Sequence, residues 1–398
     1  MVAPIKDGLH TCLPAGRDFK TQITQIFYLS ITCWLLVSPA QAQPQSSTVR
    51  VAIIQDIESL NLKINSFYEV FDSKANKALY KGKGLRATVT VFKGGIVLGG
   101  INFPAGKILI KANDPDAIVI NGRRFRGDIE LMEKDNFHFL VINRIDLEDY
   151  IKGVLYNEAS HYWPQEALKA LAVACRTFAL NQMQENKDKD FDVTSDIYSQ
   201  VYGGKASERY RTSEAVEETN DLVLTYNGKI FPAYYHATCA GKTEDASILW
   251  NIDIAPLKGV NCGFCSGSPH YKWHAVLSSD EIREKLGNSG NNIKNIKDIV
   301  ILARDTSGRI TNLKIVSDEK EIEISAKDFR NILGPNIIRS TNFTTHVVSN
   351  DVVFEGLGWG HGVGMCQWGA YFMAKQGKTF EEILKYYYPG SNVETIRF

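Results

Sequence analysis

The spacing of apolar side chains changes character along the chain. From residue 48 to about 143, the runs TVRVAII, ATVTVF, KILIKA, AIVING and HFLVINR are β-branched and broken by Gly, Asn and Asp, the pattern of short strands joined by tight turns. Asn121-Gly122 supplies a hairpin turn, and Lys93-Gly94-Gly95 and Gly99-Gly100 supply others. The period then becomes helical. Leu147, Tyr150, Ile151, Val154 and Leu155 share one face behind Asp146 as N-cap, and a second helix opens at Pro164 with Leu168, Leu171, Cys175 and Phe178 as its stripe. Further helices are predicted over 213–220, 279–286, 326–333 and 379–388, the last stopped by Tyr388-Pro389-Gly390. Between them lie a hairpin across Asn227-Gly228 whose second strand runs into His236, the strands DIVILAR, NLKIVS and EIEIS, and a last hairpin around Asn350-Asp351. The expectation is an α+β fold: a small β-rich domain over residues 43–146, then a helical catalytic core packed with antiparallel hairpins over 147–398, with a β-rich insertion near 275–345.

Composition narrows the function more than the fold. With 398 residues, 44% hydrophobic and 23% charged, the chain has the material for a sizeable core. Its 45 basic and 45 acidic residues cancel, so no field of one sign recruits nucleic acid, and no glycine loop has the Gly-Lys-Ser/Thr ending that cradles a nucleotide's phosphates. Arg17 and Lys20 precede an apolar run over residues 26–37 and then Ala40-Gln41-Ala42. This reads as a signal peptide over 1–42, or as a membrane anchor where it stays uncleaved, and places the body in the periplasm or cell envelope. Of seven cysteines, Cys12 and Cys33 leave with the leader. The remaining five are an odd number in a disulfide-permissive compartment, so at least one does something other than pair within the chain.

Three stretches carry candidate chemistry. Glu158 lies in the polar break between the two helices, where a helix C-terminus and the aromatics Tyr156, Tyr162 and Trp163 push a carboxyl pKa upward, toward what a general acid needs; the alternative is an exposed helix-end glutamate. Gln200 and Tyr202 in SQVYGG suit a sugar's hydroxyls and ring face, although turn chemistry also explains the glycines. The segment GLGWGHGVGMCQWGA brings Trp359, His361, Gln367 and Trp368 together on a glycine-rich loop as stacking and hydrogen-bonding groups. Separately, His236 with Cys239 and Cys262 with Cys265 form two ligand pairs, each with two residues between members. That is the spacing of a tetrahedral zinc site, structural when all four positions are filled; a disulfide from Cys239 to one of the later two is the competing reading.

Taken in order, YIKGVLYNEASHYWPQEALKALAVACRTFAL, SQVYGG, HATCAGKTED, GWGHGVGMCQWGA and YYYPG resemble the family of stage II sporulation protein D and the amidase enhancer LytB. The resemblance implies a bacterial envelope protein acting on peptidoglycan glycan strands, either as a lytic transglycosylase on strands stripped of stem peptides or as a noncatalytic enhancer of a cell-wall amidase. It puts the family's catalytic glutamate on Glu158, its helix arginine on Arg176 as a positioning or substrate-binding group, and its Gly-His-Gly loop on Gly360-His361-Gly362. Where relatives commonly read Ser-Gln-Tyr-Gly, this chain has Cys366-Gln367-Trp368-Gly369 and loses both hydroxyls. The rivals it leaves are a glycan-binding module stacking sugars on Trp359, Trp368 and Tyr202, and a zinc hydrolase with an open site at His236 and Cys239.

Overall fold

Strict alternation in the β-branched runs produces a sheet with two different faces. In this computed structural model, which describes residues 48–396, the strand Phe139–Asp146 sits inside an eleven-stranded sheet between Thr48–Ile57 and Asp128–Glu133, antiparallel to both. Phe139, Val141 and Ile145 point into the main core, whereas Leu140 and Ile142 join Ala52 in a small cluster on the opposite face. The leader expected over residues 1–42 lies outside the described residues.

The strand hands the chain directly to a helix. Asp146 ends the strand and also caps α1 (Leu147–Glu158), its carboxylate accepting from the backbone N–H groups of Glu148 and Asp149. The stripe expected for α1 is the one it buries. In α2 (Gln165–Glu185), Pro164 occupies the N-cap position rather than the first turn, and the single apolar face gives way to burial all round: every residue from Ala170 to Asn181 is buried. The alanines explain this, since small side chains let neighbours close on every side of a helix that forms the centre of the core.

Around α2 pack α3 (Tyr210–Glu218), α7 (Gln367–Lys375) and α8 (Phe380–Tyr387), with the short α4 (Ala246–Trp250) between the first and second of these in sequence. One apolar cluster runs from Val49 to Tyr388, so the sheet and the helices share a core. The hairpin Leu222–Tyr226 to Lys229–Ile230 turns at Asn227 and Gly228, both at positive φ (52° and 70°). Its second strand stops at Ile230 instead of reaching His236, because Pro232 has no N–H to offer a ladder. Tyr235–His236 instead pairs in parallel with Met365–Cys366, which brings the glycine-rich segment against the residues after the hairpin.

Residues 272–357 hold two three-stranded antiparallel sheets with α5 (Ser279–Asn288) and α6 (Ala326–Leu333). They bury a core of their own around Leu313, Phe329, Phe343 and Phe354. The architecture is α+β. No helix among the described residues is long and apolar enough to cross a membrane.

Candidate active-site cleft and cysteine cluster

Glu158 is the last residue of α1, and the extended backbone of Ala159 after it turns the chain away. The half-buried carboxyl opens on a cleft of about 500 Å³ whose lining includes Tyr235, His236, Trp359, His361 and Gln367 together with Lys327, Arg330, Asn331 and Asn336. Two donors reach it: the backbone N–H of Val201 to Oε1 at 3.1 Å and the Gln367 amide to Oε2 at 3.4 Å. Burial pushes its pKa above the usual glutamate value, and these two bonds, which favour the carboxylate, do not cancel that. Glu158 is the one carboxyl among the residues that line the cleft. The expected aromatic shield is elsewhere: Tyr162 is 81% exposed, Tyr156 sits under the Arg209 guanidinium, and Trp163 packs on Trp368 and Tyr371.

The loop 199–201 is held from below. Gln200, 1% exposed, accepts from the Tyr150 hydroxyl at 3.1 Å and donates to the Tyr235 hydroxyl at 2.9 Å and to the Cys175 carbonyl. It is therefore a positioning residue that aims the next N–H, that of Val201, at Glu158, and is too deeply placed for the substrate contact expected of it. Tyr202 is also buried, its hydroxyl donating to Asn143 at 2.8 Å, and its ring fills the space that Gly153 leaves in α1. It offers no stacking face to a sugar.

Arg176 likewise cannot bind substrate. It is fully buried, forked onto Glu148 at 2.6 and 2.7 Å, and donates to the carbonyls of Leu222 and Val216. This ties α1, α2, α3 and the strand Leu222–Tyr226 together. Glu148 carries no local sequence signal as its partner, 28 residues away.

The glycine-rich loop puts His361 and Trp359 in the cleft by close approach. A Cβ on Gly360 would lie 2.7 Å from the Cβ of His236, and one on Gly362 would lie 2.5 Å from the guanidinium carbon of buried Arg309; both glycines have positive φ. His361 Nδ1 accepts from the Val363 N–H at 3.1 Å, so the neutral ring carries its proton on Nε2. Burial, with the Arg330 and Arg309 charges nearby, holds its pKa down to about 3. His236 donates from Nδ1 to the Val363 carbonyl at 3.1 Å and is likewise held neutral, well below the usual histidine pKa, chiefly by burial. Trp359 has the Arg339 guanidinium 4.6 Å over its ring. Trp368 is not in the cleft; it packs with Trp163 and Tyr371 beside it.

The segment around α6 reaches the cleft as well. It brings two cations, Lys327 and Arg330, into the cleft. Arg330 Nε donates to the Ile338 carbonyl at 3.0 Å and Lys327 to the Leu249 carbonyl at 3.4 Å. Among the described residues neither has a carboxylate partner. Burial lowers the Arg330 pKa to about 10, the sign of a charge that has lost water without gaining an anion.

Next to the cleft, the sulfurs of Cys239, Cys262, Cys265 and Cys366 are buried and lie within 4.8 Å of one another. The expected ligand His236 is not in this group; the parallel pairing of Tyr235–His236 with Met365–Cys366 puts Cys366 in the fourth place. The signal for Cys366 was its replacement of a serine, which read only as a lost hydroxyl. Cys175, the fifth cysteine, is separate and buried in α2.

Comparison with known proteins fits this construction. A family model described as stage II sporulation protein matches residues 135–226, the span from the inner strand through α1, α2 and the 199–201 loop, and a model of a domain of unknown function matches 257–364. The stage II sporulation protein D of Bacillus subtilis (strain 168) is 33% identical over 267 residues, 63% of this chain and 75% of that protein. This chain belongs to the stage II sporulation protein D family. An uncharacterised protein of Brachyspira hyodysenteriae is 38% identical over 279 residues, covering 70% of this chain and 74% of its own length. A Bacillus subtilis protein named amidase enhancer is 25% identical over 291 residues, 61% of this chain and 40% of that protein.

Proposed function

We propose that this member of the stage II sporulation protein D family is an exported cell-wall enzyme that cleaves peptidoglycan glycan strands as a lytic transglycosylase. The supporting observation is the solitary carboxyl, Glu158, held in a cleft with its pKa raised and no second carboxyl across from it. Most glycosidases need two carboxyl groups, one as acid and one as nucleophile or base. A single one suffices when the substrate supplies its own nucleophile. Protonated Glu158 gives its proton to the oxygen between N-acetylmuramic acid and N-acetylglucosamine as the bond from that oxygen to C1 breaks. The carboxylate so formed takes the proton of the muramic 6-hydroxyl as that oxygen bonds to C1, closing a 1,6-anhydro ring and restoring the acid. No water is consumed. Neutral His361 and Trp359 supply a polar edge and a ring face for the sugars.

The two cations that share the cleft with Glu158 fit the strand's chemistry. A muramic residue without its stem peptide carries a free lactyl carboxylate; with the peptide attached that group is a neutral amide. On this reading Arg330 and Lys327, both lining the cleft, pair with the free acid, which favours peptide-free strands.

The relative named amidase enhancer supports a second reading, a noncatalytic partner of a cell-wall amidase that only binds glycan. Mass spectrometry of purified peptide-free strands after incubation with the wild type and with Glu158→Gln separates the two. The enzyme reading expects anhydro-ended fragments from the wild type alone. Binding without fragments from either protein supports the enhancer.

A further inference from the structure

Cys239, Cys262, Cys265 and Cys366 come from three separate segments: the chain just after Tyr235–His236, the loop 262–265, and the residue before α7. Four buried thiols packed against one another without disulfides call for something to hold them. The Sγ atoms of Cys239 and Cys265 are 3.5 Å apart, and all four lie within 4.8 Å of one another. A tetrahedral zinc with ~2.3 Å bonds sets its sulfurs about 3.8 Å apart, whereas a disulfide needs ~2.05 Å. The surroundings also donate to sulfur, as thiolates require. Cys366 Sγ accepts from the backbone N–H groups of Cys239 and Gly369, each at 3.3 Å, and the Tyr387 hydroxyl lies 3.1 Å from Cys262 Sγ. Buried Arg309 donates to the Cys239 carbonyl at 3.0 Å, placing a fixed positive charge beside the cluster.

We propose that these four cysteines bind one zinc ion through four thiolates, as a closed structural clip. Each thiol gives up its proton to solvent as the ion binds, and no coordination position is left for water, so the ion does no hydrolytic chemistry. The clip fixes the start of α7. Cys366 caps that helix through Gly369, and the next residue is Gln367, which reaches Glu158. The zinc is thus a positioning element for the cleft, and the assignment stands whatever reaction the cleft performs.

Elemental analysis of the full chain purified from zinc-supplemented medium should find one zinc per chain, and X-ray absorption should find four sulfurs at about 2.3 Å. Cys366→Ser should lower zinc well below one per chain, whereas His236→Ala should keep it. Folded zinc-free protein whose cysteines map as disulfides would overturn the proposal. So would iron in place of zinc, or a nitrogen ligand that disappears in His236→Ala. The absorption measurement is made on the wild type, so it decides the matter even where Cys366→Ser fails to fold.

Discussion

The side-chain amide of Gln367 donates to Glu158 at 3.4 Å, joining the first residue of α7 to the last residue of α1 across 209 positions of sequence. The contact works against burial: it favours the carboxylate, while the cleft favours the neutral acid. The pair sets how acidic the cleft's one carboxyl is.

Removing that donor should therefore raise the Glu158 pKa further. In Gln367→Leu the falling, basic limb of the kcat/KM profile on peptide-free strands is expected to move to higher pH. A role confined to packing would lower the rate at every pH and leave the limb in place.

Glu158→Gln should reduce strand cleavage by roughly 10²–10⁴-fold or more and leave the fold intact. Its effect on stability has a definite sign. Because burial raises the folded-state pKa above the unfolded value, the native state holds this proton more tightly, and stability falls as pH rises through the window between the two. The glutamine variant lacks that loss. Thermal melts should show it gaining on the wild type as pH climbs from the ordinary glutamate pKa toward neutrality; a gain toward acid pH would contradict the raised pKa.

The sequence carried the elements well and their partners poorly. The stripe of α1, the Asp146 cap and the Asn227-Gly228 turn are local patterns, and each appears where its residues put it. Glu158 was legible because it interrupts a helical period. Burial is a property of the assembled chain: Arg176, Gln200 and Tyr202 are polar or aromatic side chains beside the key motif, and nothing local says that they face inward. The replacement of His236 by Cys366 in the cysteine cluster depends on a parallel pairing between distant segments, Cys239 and Cys366 being 127 positions apart in sequence. Lys327 and Arg330 reach the cleft only because the residues around α6 fold against it.

Arg176 should prove structural. Truncating it leaves Glu148, whose side chain is 18% exposed, without its fork, along with two carbonyls that lose donors. Breaking a buried pair of this kind costs roughly 3–5 kcal/mol. Urea unfolding of Arg176→Ala should show a loss of that order, while the activity of the fraction that remains folded stays near wild type. A rise in KM with unchanged stability would restore the substrate-binding role.

Arg330 supplies the sharpest test of what the cleft reads. Its half-buried guanidinium lines the same cleft as Glu158, Nε donating to the Ile338 carbonyl, and among the described residues no carboxylate pairs with it, so its charge is open to an anion from outside. On a glycan strand that anion is the muramic lactyl carboxylate. Peptide-free strands and the same strands converted to lactyl methylamides differ in this one group, and the Glu158→Gln protein binds either without cutting. Calorimetry in that background should show the acid form bound roughly tenfold more tightly, the ~1.4 kcal/mol that a charge-assisted bond to one group supplies. Adding Arg330→Gln should erase the difference by weakening the acid form and leaving the methylamide nearly unchanged. Equal affinity for the two strands in the parent protein would remove the carboxylate from the recognition scheme, while failure to bind either would count against glycan as the ligand altogether.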